Sequence, residues 1–182
     1  MVPQYHKTMS LELTGMSDAV IAILRLDGEG NRFIPLTAGA CSSDDARRML
    51  SRATAEGLFP GSRSPQGALA GLWVYFSAFE PAHQVAQDLP TKEGSYWHAI
   101  VHRMEPDAWN SQYWFNRVGD HPVYAALSEA SSIAPWRPGA LIELCESARR
   151  RPGSADEQRA LELQLVEWQL LFSYCAGRAT MK

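Results

Sequence analysis

The sequence predicts an all-α fold of about six or seven helices packed around one strongly apolar helix at residues 65–79. Three observations lead to this prediction. Helix-capping signals recur from residue 42 onward, alternation of apolar and polar residues is lacking after residue 40, and the run ALAGLWVYFSAF is apolar on every side. A helix with no polar face belongs in the middle of a hydrophobic core, so the other helices should surround it.

Length and composition indicate one globular unit rather than a disordered or fibrous chain. The chain has 182 residues, 46% of them apolar, which is enough to bury a sizeable core. Charged residues make up 20% and the net charge is −3, so no basic footprint for nucleic acid is present. No stretch approaches the ~20 apolar residues of a membrane span. The three cysteines form no CxxC pair, and the N-terminus lacks signal-peptide character, so we expect a cytoplasmic protein.

The chain divides at about residue 41 into an N-terminal part and one helical folding unit at 42–182. Residues 1–18 are expected to be a loosely held arm, and His6 within it is expected to be solvated. Residues 19–36 are ambiguous, because AVIAIL fits both a short extended strand and a buried helical turn.

Capping residues predict where the helices of the first half begin. Ser42–Asp45 should open a helix that runs to about Glu56 and stops at Gly57. Ser64 followed by Pro65 should open the apolar helix. Pro81 should either kink that helix or start a new one, and Thr91 should cap the next.

Proline, glycine and serine mark the helix limits of the second half. Pro106 ends one helix or starts another, Gly119 closes a segment and Pro122 opens the next. Pro138 should open a helix to about Arg151. Ser154 and Glu157 match a capping box at the start of the last helix, 155–176. That helix has apolar residues on two opposite sides, so it is either central or meets a second subunit in a homodimer.

The segment at residues 80–121 contains four of the five histidines and is the candidate site. His98 and His102 are one helical turn apart, so both imidazoles lie on one face, and Glu105 continues that stripe. A short link at 88–94 should make the flanking helices neighbours. Counted from this link, His83 and His98 lie at matching distances along their helices. Glu80 and His102 lie at matching distances about one turn further from it.

These residues predict a mononuclear site for a divalent transition metal such as Zn, Ni, Fe or Mn. The expected ligands are His83, His98 and His102 with Glu80, while Glu105 and Asp107 are the candidate catalytic or outer-shell carboxylates. An HxxxH pair alone is a weak signal. The HExxH pattern is absent, because positions 99 and 100 are Ala and Ile.

The alternative interpretation is a module without catalysis, in which the same residues form a buried polar network or line a pocket for a small anionic or aromatic ligand. Arg103 and Arg117 are expected to pair with Glu105 and Asp107 or to hold an anion, and aromatic rings are expected to wall the pocket. The residues assigned to ligand binding are Arg103, Asn110, Tyr113, Trp114, Arg117 and His121.

The pattern YWHxxxHRxEPDxxNxxYWFxRVGxHPV, from Tyr96 to Val123, resembles a family of uncharacterised proteins. The resemblance covers these 28 of the 182 residues, its motif is distinctive, and it implies no activity. At the level of architecture, the chain is more loosely similar to helical-bundle metalloproteins of the DinB type, which use an HxxxH pair and a third histidine at wider spacing.

Overall fold

The computed structural model describes residues 10–131 and 133–178, which form ten α-helices, one 3₁₀ turn at Gly28–Gly30 and no β-strand. The all-α prediction is confirmed, with more helices than the six or seven expected. The helices are α1 Asp18–Leu24, α2 Asp44–Arg52, α3 Ala55–Leu58, α4 Pro65–Tyr75, α5 Phe79–Asp88, α6 Lys92–Met104, α7 Ala108–Val118, α8 Val123–Ser131, α9 Pro138–Arg150 and α10 Ala155–Ala176.

Helix α4 is the centre of the core, as its composition predicts. Ser64 caps it by accepting a hydrogen bond from the Gly67 amide, and every residue from 67 to 75 is buried. The helix is shorter than the predicted 65–79, because the chain turns at Ser77, whose φ is 57°, and a new helix begins at Phe79. Pro81 is the third residue of α5, where its missing N–H costs no helical hydrogen bond.

The helix predicted from residue 44 to about Glu56 is divided in two. Ser43 caps α2 as expected, but α2 ends at Arg52 and Ala53 is extended. The side chain of Thr54 then accepts from the Gly57 amide and opens α3. A second capping residue inside the expected helix therefore ends it early.

The last helix, α10, packs against α4, α8 and α9, and both of its apolar sides contribute to the core. Trp168 and Phe172 are buried on one side and Leu163 on the other. The Trp168 indole N–H donates to the Gly71 carbonyl at 2.7 Å, which joins α10 to the central helix. These contacts favour the central position over a subunit interface for most of the helix.

The segment at 19–36 begins as helix rather than strand. Val20, Ile23 and Leu24 of α1 are buried in the same core as α4. Within the predicted arm, residues 1–9, including His6, lie outside the described residues. No helix in the described part of the chain is long and apolar enough to cross a lipid bilayer.

Candidate functional site

The link between α5 and α6 brings these two helices into direct contact. Thr91 caps α6 and accepts a hydrogen bond from the Gly94 amide at 3.2 Å. The backbone of Leu89 comes so close to Gly94 that a Cβ there would lie 2.0 Å from the Leu89 carbonyl oxygen. Only glycine fits this approach, which sets the positions of the histidines that follow it on α6.

Three histidines from this hairpin form one cluster, called the histidine triad below: His83 of α5 with His98 and His102 of α6. The Nε2 atoms of His83 and His98 are 2.8 Å apart, a hydrogen-bond distance. The His98 and His102 rings stack with centroids 4.8 Å apart, and the His83 ring is nearly perpendicular to both. The prediction that His83 reaches His98 or His102 is confirmed.

The triad has the composition and nearly the spacing of a metal site. One nitrogen from each ring lies within 4.8 Å of the other two. Nitrogens that share a tetrahedral metal at 2.0–2.1 Å are roughly 3.3 Å apart. A shared metal would therefore require the closest pair of nitrogens to move apart, the third to move in, and the stacked His98 and His102 rings to turn toward a common point.

The surroundings of the triad keep two of its rings neutral near pH 7. Burial, followed by the neighbouring His83 and His102 rings, lowers the pKa of His98 from 6.5 to about 4. Burial also lowers the pKa of His102, although Glu105 opposes that shift. Neutral imidazole is the form that binds metals, so no proton has to be displaced first from these two rings.

Glu105 lies directly beside the triad. One of its carboxylate oxygens is 3.0 Å from Nδ1 of His102, a polar contact that becomes an ion pair only when the ring is protonated. If His102 binds a metal through Nε2, this carboxylate is in position to hold the opposite ring nitrogen. Glu105 therefore lies where an outer-shell carboxylate was expected, although the aligned hydrogen bond of such a pair is not formed.

Aromatic and cationic side chains of α7 border the triad. Trp114 stacks on His98 with centroids 4.0 Å apart, and the guanidinium of Arg117 lies 5.2 Å from the Trp114 ring. Tyr113 and Trp109 continue outward along α7 and are exposed. Three residues predicted to bind ligand, Tyr113, Trp114 and Arg117, are thus brought together beside the predicted metal ligands.

Arg103 belongs to a different part of the molecule. It is fully buried and donates to Glu167 at 2.5 Å, with Gln164 at 3.4 Å. Tyr96 donates to the other oxygen of Glu167 at 3.1 Å. The predicted pairing of Arg103 with Glu105 or Asp107 is wrong, because Arg103 points from α6 toward α10 and not toward the triad.

The remaining predicted site residues are not gathered at the triad. Glu80 is exposed and is not part of the cluster. Asp107 caps α7 and holds the side chain of Asn110, whose hydrogen bonds lower the pKa of Asp107. His121 is buried and faces Glu93 at 3.9 Å, and this contact lowers the pKa of Glu93 to about 2.

Sequence reasoning missed Glu167 and Gln164, the partners of Arg103. Both lie on α10 between its apolar stripes, at positions that are buried. A carboxylate and an amide on a helix with two apolar sides are a signal of internal partners, because buried polar groups must be paired. Glu93, the partner of His121, was also missed as a site neighbour.

Comparison of the chain with protein-family models, with curated proteins and with solved structures finds no match. The resemblance of the Tyr96–Val123 segment to a family of uncharacterised proteins stays a prediction.

Proposed function

We propose that the protein is a metal-dependent hydrolase whose ligands are His83, His98 and His102. The observation that carries the proposal is the meeting of three imidazole nitrogens from two helices within 4.8 Å of one another. Imidazole suits zinc, nickel and iron, and zinc is the metal for the first test because three histidines with one open position is a known catalytic zinc arrangement.

The ligand count favours a catalytic rather than a structural site. No fourth His, Cys, Asp or Glu of the described residues joins the triad, which leaves one position of a tetrahedral metal for water. Structural zinc sites are closed by four protein ligands. A metal bound here would lower the pKa of that water toward neutrality and so supply a nucleophile.

Two features of the chain support the hydrolytic interpretation. His83 and His102 are partly exposed, so a substrate can reach the triad from solvent. Glu105 is exposed and contacts His102, which suits it to orient that ring or to accept the proton of the attacking water. In ester hydrolysis the water oxygen bonds to the carbonyl carbon, the bond to the leaving alkoxide breaks, and the alkoxide takes up the released proton.

A metal-free structural network is the competing function, and one observation favours it. His83 and His98 are 2.8 Å apart and satisfy one another by a hydrogen bond. In that case the triad only joins α5 to α6, and the protein acts as a helical binding module.

Metal analysis of the full chain, purified without a histidine tag, separates the two functions. We expect titration calorimetry to give one zinc ion per chain. His83→Gln should weaken zinc binding by at least about 100-fold, since loss of an outer-shell partner alone costs 10–100-fold. The glutamine amide can still hydrogen-bond His98, so the fold is expected to survive.

Matched variants complete the test. Gln84→Ala changes the exposed neighbour of His83 and should leave zinc affinity unchanged. Glu105→Gln should weaken binding by roughly tenfold if that carboxylate supports His102. Zinc-dependent hydrolysis of 4-nitrophenyl acetate, lost in His83→Gln, is the expected activity. If neither zinc, nickel, iron nor manganese binds, the hydrolase proposal is wrong and the structural network remains.

A further inference from the structure

We propose that the exposed side of α7 formed by Trp109, Tyr113, Trp114 and Arg117, called the α7 rim, binds the substrate, and that this substrate is a small aromatic anion. The inference rests on the proposed function, because it places the reacting part of the molecule at the histidine triad.

The outer part of the α7 rim is a pair of exposed, stacked rings. Trp109 is 75% exposed and Tyr113 is 44% exposed, and they are one helical turn apart. Their centroids are 6.0 Å apart and their planes differ by 12°. An exposed stacked pair offers an outer ring face on which another aromatic ring can stack.

Among the residues that the structure describes, the cation of the α7 rim has no ion-pair partner. Arg117 lies 6.0 Å from the Tyr113 ring and 5.2 Å from the Trp114 ring. In the described ranges 10–131 and 133–178, no carboxylate forms an ion pair with it. Contacts between a guanidinium and aromatic rings do not use up its N–H donors, and that planar fork fits a carboxylate or phosphate.

The α7 rim is continuous with the triad through Trp114. The same ring that Arg117 approaches stacks on His98 with centroids 4.0 Å apart. A ligand whose anion binds Arg117 and whose ring lies on this aromatic surface is therefore held beside the metal position. Recognition of the anion at Arg117 and reaction at the triad together favour a molecule of this charge and shape.

The size and surroundings of the α7 rim favour a small molecule over a second chain or a membrane. A stable protein interface buries about 800 Å² on each partner, whereas the rim is one side of an 11-residue helix. The polar side chains of Gln112 and Asn116 are exposed on the same helix and hydrogen-bond each other. An amide pair of this kind is poorly suited to burial in lipid or in an apolar interface.

Binding of 4-nitrobenzoate to the full chain tests the inference, with 4-nitrobenzamide as the neutral analogue of the same shape and acetate as the anion without a ring. Titration calorimetry is carried out on zinc-loaded and on metal-free protein. We expect 4-nitrobenzoate to bind at least about tenfold more tightly than either analogue, because only it combines charge with a ring.

Variants of the α7 rim then assign the site. Arg117→Gln should remove the preference for the anion, and Trp109→Ser with Tyr113→Ser should remove the preference for the ring. Arg48→Gln, an exposed arginine on α2, is the matched control and should change neither. The four substituted residues, Arg48, Trp109, Tyr113 and Arg117, are exposed, so circular dichroism should be unchanged.

The outcomes separate this inference from the proposed function. Zinc that binds normally in Arg117→Gln, together with a lost preference for 4-nitrobenzoate, supports both. Equal affinity for 4-nitrobenzoate and its amide in both protein forms, or an Arg117→Gln variant that binds like wild type, overturns the α7 rim alone. A concentration-dependent dimer that Trp109→Ser abolishes also overturns it, by showing that a second copy covers this face. Failure to bind metal overturns the hydrolase proposal, while the anion preference in metal-free protein still decides whether the rim binds ligand.

Discussion

Replacement of Gly94 by alanine should disturb both the stability of the protein and its histidine triad. An added Cβ would lie 2.0 Å from the Leu89 carbonyl oxygen and 2.8 Å from the Leu89 Cβ, and the first of these is a backbone atom that no rotamer change can move. Relief of the contact requires the start of α6 to shift from the end of α5 by roughly 1 Å. Overpacking of this kind costs ~1–3 kcal/mol.

Alanine also favours helix over glycine by up to ~1 kcal/mol, which offsets part of that cost. We therefore expect a net loss of about 1–2 kcal/mol in the free energy of unfolding. For a chain of this length the loss corresponds to a fall of about 2–8 °C in Tm. Because α5 carries His83 and α6 carries His98 and His102, zinc affinity should fall as well.

Urea denaturation and thermal melting, combined with zinc titration, measure these effects. Gly139→Ala is the matched control. Gly139 lies in the first turn of α9, and its added Cβ would meet only the end of the flexible Gln112 side chain, at 3.0 Å. This control should be as stable as wild type or slightly more stable. A Gly94→Ala protein with wild-type stability and zinc affinity would refute the role assigned to the tight link.

Three further perturbations test other parts of the structure. Arg103→Met or Glu167→Leu leaves a fully buried partner unpaired and should each cost ~3–5 kcal/mol in urea denaturation, whereas the double variant should lose much less than the sum. The carboxyl group of Glu93 has a pKa of about 2 in the fold against 4.5 when unperturbed, so its stabilisation is complete above pH 4.5 and is lost as pH falls toward 2. Between pH 4.5 and 2, Glu93→Gln should therefore lose about 1–3 kcal/mol less unfolding free energy than wild type loses. An equal loss in both proteins would contradict this assignment. Zinc at 100 times the wild-type Kd should stabilise wild type by ~2.7 kcal/mol in thermal melts and should stabilise His83→Gln by no more than ~0.4 kcal/mol.

Local chemistry was sufficient to predict most helix starts. Ser64, Thr91 and Ser154 each accept a hydrogen bond from a first-turn amide, as their positions in the sequence indicate. These interactions join residues three apart, so their geometry is nearly independent of the rest of the fold. The ends of helices were harder to predict, because the turn at Ser77 that ends α4 follows from packing rather than from a local signal.

The triad was predictable because its geometry depends on a short hairpin. A link of a few residues and equal distances along two helices place His83 opposite His98, and the burial of both helices supplies the contact. Glu80 was assigned to the same site only because its distance along α5 from the link matches that of His102 on α6. Distance along a helix does not determine the direction of a side chain, and Glu80 is on the exposed side of α5.

By itself the sequence determined the helical class, the central apolar helix and the three histidines that meet, since these follow from capping, composition and short-range spacing. Only the tertiary structure decided which polar groups pair across the core. Arg103 is next to His102 in sequence, yet its partner is Glu167, 64 residues away on α10. Consecutive residues on a helix point in directions about 100° apart, so neighbours in the chain face different helices. The choice between Glu105 and Glu167 then depends on which helix packs against that side, and no local pattern encodes it.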